Sequence, residues 1–100
     1  MGYMADVLAK LVSFDTDSAK KTNYVECARF IASETKKLGM KTQIITFRGT
    51  DKKPRPNVIA DFNVGAKETV MFLTHFDVVP AGEGWIGRPF KLRRKGNRFF

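Results

Sequence analysis

Histidine, cysteine and acidic residues are scarce in this sequence: one His, one Cys, and ten Asp plus Glu against eighteen Lys plus Arg among 100 residues. The lone Cys27 excludes an internal disulfide and fits a reducing cytoplasm. A metal site needs three or four ligands, and beside His75 the chain offers no second imidazole and only the distant Cys27. Apolar runs stay far short of the roughly twenty residues of a membrane span, and the N-terminus has no signal-peptide pattern. No repeat or low-complexity segment is present. The shortage of acid leaves a net charge of +8, which raises nucleic acid as a partner, with Lys52-Lys53-Pro54-Arg55 and Lys91-Leu92-Arg93-Arg94-Lys95 as contacts. Neither cluster sits in a nucleic-acid module or carries aromatics spaced for base stacking. Both read as solvated loops, and neither nucleic acid nor a membrane is expected as a partner.

What is present is apolar: 43% hydrophobic residues, nine of them Phe. So short a chain hides a limited share of its surface, and part of this apolar complement is expected to meet something outside it. Met4, Val7, Leu8 and Leu11 recur at helical steps, with Asp6 and Lys10 on the other side, which predicts a short amphipathic helix. Phe14-Asp15-Thr16-Asp17-Ser18 ends it. Its alternating acids resemble a calcium loop, but Ala19 stands where a third oxygen ligand belongs and no Gly follows. Asn23 as N-cap, Glu26 three residues on and Gly39 as left-handed stop bound a second helix. Tyr24, Cys27, Ala28, Ile31, Thr35 and Leu38 form its core stripe, and Glu26, Arg29, Ser33, Lys36 and Lys37 its wet face.

Strands are predicted over 41–47 and 57–62, separated by a charged, Pro-broken loop from Gly49 to Pro56. A third is predicted from Thr69 to His75. Val70 to Leu73 is too continuous an apolar run for a strand with one wet face, so burial on both faces is expected. Ala81-Gly82-Glu83-Gly84 is a flexible loop with Trp85 and Phe90 as anchors, and Lys95-Gly96-Asn97 turns a terminal hairpin. Two helices, three sheet strands and a hairpin make an α/β arrangement, with helices for one face of the sheet only.

In an extended backbone His75 and Asp77 project the same way, at the strand end where α/β sheets bind ligands. A carboxylate beside an imidazole can hold one ring nitrogen while the other meets a metal. On spacing alone so short and common a pattern is better accounted for by a hydrogen-bonded core histidine and a turn-forming aspartate.

The ordered pair His75-x-Asp77-Val78-Val79-Pro80 and Trp85-x-x-x-Pro89-Phe90 resembles the M20 metallopeptidase family, which includes acetylornithine deacetylase, succinyl-diaminopimelate desuccinylase, aminoacylases and carboxypeptidase G. Thr74 stands where that family often has Gly. The resemblance implies the N-terminal part of a zinc-peptidase-like α/β/α sandwich, with the remaining ligands, the general base and a lid domain lying beyond Phe100. It implies two zinc ions, with cobalt or manganese in some members, and hydrolysis of an N-acyl amino acid or a peptide. His75 becomes a metal ligand and Asp77 the carboxylate that orients it; no other residue is assigned. Alone, the chain is expected to hold zinc poorly, to be inactive, and to self-associate or pair with the missing remainder through Phe72 and its neighbours. The alternatives are a small basic module binding nucleic acid or an acidic protein, and a metal-free structural or regulatory domain.

Overall fold

The computed structural model describes residues 2–100. Its elements in order are α1 (Tyr3–Ser13), α2 (Tyr24–Lys37), β1 (Lys41–Arg48), β2 (Pro54–Asp61), β3 (Arg94–Lys95) and β4 (Arg98–Phe99). β1 pairs antiparallel with β2, and β3 with β4, giving two helices and two separate hairpins, a mixed α/β fold. The chain divides into two units, Tyr24–Phe76 on one side and Met1–Asn23 with Asp77–Phe100 on the other.

In the Tyr24–Phe76 unit α2 packs on the β1–β2 hairpin. Tyr24, Cys27, Ala28 and Ala32 are its buried residues, and three of the four are small, which lets helix and sheet approach closely. The polar face is as expected: Glu26, Arg29, Ser33, Lys36 and Lys37 are all exposed. At the far end of the stripe Leu38 is 59% exposed, because the helix has ended there. Gly39, at φ +85°, donates its N–H to Lys36 O at 3.0 Å, and Met40 N–H reaches Thr35 O at 3.1 Å. These two bonds satisfy the last helical carbonyls in the Schellman arrangement, which requires a left-handed residue. The Thr35 hydroxyl then meets that of Thr42 at 2.9 Å, joining the end of α2 to the start of β1.

The register is Lys41 opposite Asp61 through to Arg48 opposite Pro54. Thr42 touches α2 and strand side chains alternate, so Thr42, Ile44 and Thr46, with their partners Ala60, Val58 and Pro56, face the helix. Ile45, Phe47 and Ile59 face away, at 39%, 64% and 46% exposure. One face of the sheet is covered by a helix of this unit, as the sequence predicts.

Three boundaries differ from that prediction. The 49–56 loop is shorter than expected, since β2 begins at Pro54 and only 49–53 connects the strands. The turn closes through Gly49 N–H to Lys53 O and Lys52 N–H to Gly49 O, with Arg55 paired to Asp51 at 2.8 Å. Asn23 takes φ +61° instead of the extended backbone usual at an N-cap, and its amide donates to Asp15 O at 2.8 Å. The expected third strand does not form: 69–75 lies outside both sheets. Val70, Met71, Phe72 and Leu73 are 78–90% exposed, not buried on two faces. The run has strand-forming side chains, but no strand of the described residues pairs with it.

In the other unit, α1 forms as predicted but buries no residue fully, and Met4 is 83% exposed. The terminal hairpin turns through Gly96 at φ +59°, with Arg93 and Phe100 exchanging backbone bonds of 2.8 and 2.9 Å just outside it. Glycine at the first central position suits a two-residue type II′ turn. Among the described residues no helix is long and apolar enough to cross a membrane.

Candidate functional site

The approach to His75 is set by Tyr24 and Phe76. The Tyr24 ring, buried at the head of α2, meets Phe76 edge to face, with centroids 6.1 Å apart and planes at 83°. This geometry suits two ring quadrupoles. It holds the end of the 69–76 run against the helix while the preceding apolar residues stay in solvent. His75 precedes that anchor and is exposed. A histidine sealed in a hydrocarbon core is therefore not what the fold contains.

Asp77, half-buried, opens the returning segment of the second unit. Its neighbour Val78 is fixed there by an isolated parallel bridge to Asp17. Val78 N–H donates to Thr16 O at 3.0 Å, and Ser18 N–H donates to Val78 O at 2.7 Å. Thr16 and Asp17 are among the best-buried residues of the chain, at 2% and 5% exposure. Asp17 Oδ1 accepts from the N–H groups of Ala19 at 2.7 Å and Lys20 at 3.2 Å, and Asp17 O accepts from Lys21 N–H at 2.7 Å. Asp15 O accepts from Thr22 Oγ1 and Asn23 Nδ2. In the acidic stretch that resembles a calcium loop, the Asp17 carboxylate and the Asp15 and Asp17 carbonyls thus bend their own backbone, while Asp15 Oδ1 is buried without a hydrogen-bond partner among the described residues. That bent backbone holds the residue after Asp77.

In the loop beyond Pro80 the Trp85 indole Nε1 donates to Ala81 O at 2.7 Å, while the residue stays 51% exposed instead of packing the loop down. Glu83 stands exposed between Gly82 (φ +71°) and Gly84 (φ +87°). Pro89 and Phe90 are half-buried. Gly87, at φ +88°, lies under the Arg93 guanidinium, where an added Cβ would stand 3.2 Å from Nη1. Arg94, in one of the basic clusters singled out in the sequence, lies over the Phe99 ring at 5.6 Å and donates to Gly96 O.

Among the described residues, no group of three or more His, Cys, Asp or Glu side chains is placed as metal ligands would be. An imidazole and a carboxylate are suitable donors, but these residues by themselves do not make a metal cradle. Cys27 is no substitute. It is 1% exposed in the helix–sheet core, and burial pushes its thiol up to about 11, away from the thiolate a metal would need.

Sequence reasoning singled out His75 and Asp77 but missed the residues that position their neighbours. For Thr16 and Asp17 the available signal was the Asp-Ser-Ala run, a sequence that favours an Asx turn. Nothing local announced that Tyr24 would meet Phe76, more than fifty residues away.

Two fungal metallodipeptidases resemble this chain. It is 36% identical over 105 aligned residues to the Cys-Gly metallodipeptidase of Schizosaccharomyces pombe, covering 92% of the chain and 22% of that protein. It is 33% identical over 91 residues to the Cys-Gly metallodipeptidase of Candida albicans, covering 80% and 19%. The chain therefore spans about a fifth of the length of the curated relatives it matches. No protein-family model matches it, and no solved structure gives a significant match.

Proposed function

We propose that this chain is the N-terminal part of the catalytic domain of an M20-type metal-dependent peptidase, with His75 as a metal ligand and Asp77 as the carboxylate that orients it. The observation that carries this reading is the ordered pair of motifs, His75-x-Asp77-Val78-Val79-Pro80 and Trp85-x-x-x-Pro89-Phe90, in a chain that aligns over 92% of its length with a metallodipeptidase. The exposure of His75 supports it, since a ligand must be reachable. Zinc is the metal we favour, with cobalt or manganese as substitutes, in a reducing cytoplasm that suits a protein with one free thiol. When bound, the metal would supply Lewis acidity toward an amide carbonyl and an activated water. The names of the relatives favour a dipeptide over an N-acyl amino acid as substrate.

The contribution of this chain is positional. Phe76 against Tyr24 fixes the residue after His75, and Val78 against Thr16 and Ser18 fixes the residue after Asp77. Further ligands and the general base would come from sequence beyond residue 100.

Three measurements test this. Calorimetric titration with zinc, with the His75 ring resonances followed by NMR, is expected to show weak binding that disappears in His75→Ala. The chain alone is expected not to hydrolyse Cys-Gly or N-acetyl amino acids, and turnover with added zinc would show the site to be wrongly mapped. In the complete protein, Asp77→Asn is expected to lower metal affinity or activity by about 10–100-fold, as loss of a carboxylate behind a metal-bound histidine does.

A further inference from the structure

The outer edge of β1 is built to accept another strand. Gly49 N–H bonds across the turn to Lys53 O, and bonded pairs alternate along an antiparallel ladder. Phe47–Arg55 and Ile45–Asn57 are therefore the bonded pairs, and the amides of Thr42, Ile44, Thr46 and Arg48 point outward from β1. By the same alternation Pro54, Pro56, Val58 and Ala60 point outward from β2. Two of those four are prolines with no N–H to give, so half of the β2 edge is blunted. All four outward residues of β1 keep their N–H, and no third strand pairs with β1 among the described residues.

A groove lies beside that edge. Arg29, Ala32, Ser33, Lys36 and Lys37 of α2 and Ile44 of β1 line it, with no residue of β2. Ile44 faces the helix yet remains 40% exposed, so α2 leaves the β1 side of the sheet partly open. The rim carries Arg29, Lys36 and Lys37, the last already bonded to Glu34 at 2.9 Å. The two ends of the strand are Lys41 and Arg48.

We propose that the β1 edge binds an extended acidic peptide segment that adds to the sheet as a third strand. Alternation assigns its side chains. Residues on the helix side meet Arg29 and Lys36 and are acidic; residues on the other side lie beside Ile45 and Phe47 and are apolar. Charge also decides against a second copy of this chain at the edge. Antiparallel β1–β1 pairing sets Lys41 of one copy against Arg48 of the other, between molecules of net charge +8. This inference does not rest on the peptidase reading.

The test uses a fluorescent peptide of alternating glutamate and valine, as long as β1, and a version N-methylated on the amides that would face the strand. The unmodified peptide is expected to bind and to slow amide exchange at Ile44 and Thr46, while exchange at Ile45 and Phe47, already bonded to β2, stays as it was. Arg29→Glu with Lys36→Glu, at exposed helix positions, is expected to weaken binding at least about tenfold with an unchanged circular dichroism spectrum, a loss of about 1.4 kcal/mol. Equal binding of the N-methylated peptide, or no new protection at Ile44 and Thr46, overturns the proposal. So does equal competition by single-stranded DNA, which would mark the groove as a site for any polyanion.

Discussion

Two stretches of the Tyr24–Phe76 unit are rich in β-branched and aromatic residues, and only one of them becomes sheet. Residues 41–48 form β1, closed by a five-residue turn onto β2 and covered on one face by α2. Residues 70–73 are at least as apolar, yet lie outside any ladder at 78–90% exposure. Side-chain preference is similar in the two. Geometry separates them: β1 has a partner five residues away, whereas the later run meets the rest of the unit at Phe76 on Tyr24. A strand buried on both faces needs neighbours on both edges and layers on both faces. Local preference cannot supply them.

The comparison can be broken most forcefully at Tyr24, which belongs to the covered region and also touches the end of the uncovered one. Tyr24→Ala is expected to destabilise the fold by about 3 kcal/mol or more, as loss of a buried aromatic does, with a lower urea midpoint and an unchanged m-value. An unchanged midpoint would show that the α2–hairpin contact does not carry the unit. Cys27 tests the same core through pH. Its pKa rises from 9.0 to about 11 in the fold. The unfolded chain therefore releases the thiol proton first as pH increases. Stability from keeping the thiol neutral is complete below pH 9 and is lost between pH 9 and 11, by about 3 kcal/mol in all. Cys27→Ala is expected to flatten that decline in urea titrations run across this range.

Gly39→Ala is expected to cost about 1 kcal/mol, because alanine is strained at φ +85°; the added Cβ would meet the Phe62 ring only at an ordinary contact distance of 3.8 Å. The smallest effect on folding belongs to the uncovered run. Phe72→Ser, at a position 90% exposed, is expected to change the unfolding free energy by less than about 0.5 kcal/mol. If the chain self-associates through Phe72 and its neighbours, as the sequence leads one to expect, the same variant lowers the sedimentation-average mass. A large stability loss in Phe72→Ser would mean that the run is packed in solution and that the contrast with β1 is false.

Elements held by neighbours in the chain were legible from their residues. Both helices, the Gly39 stop, the polar face of α2 and the Gly96 turn need only periodicity and a left-handed residue in the right place. The anchors around the candidate site were not legible, because each joins distant positions: Tyr24 with Phe76, Thr16 and Ser18 with Val78. The 49–56 stretch misled for a related reason. Proline there argues against a strand unless its missing N–H faces outward, and that depends on register.

Residue types and their spacing alone determined the helical segments, the Gly96 hairpin turn and the choice of His75 with Asp77, since periodicity and side-chain chemistry are carried by each stretch of chain independently. Tertiary structure alone decided that Val70 to Leu73 would stand in water, that Thr16 and Ser18 would hold Val78, and that β1 would keep an open edge. These outcomes depend on which backbone groups find partners far along the chain, and a hydrogen bond or a buried face exists only when both of its sides are present.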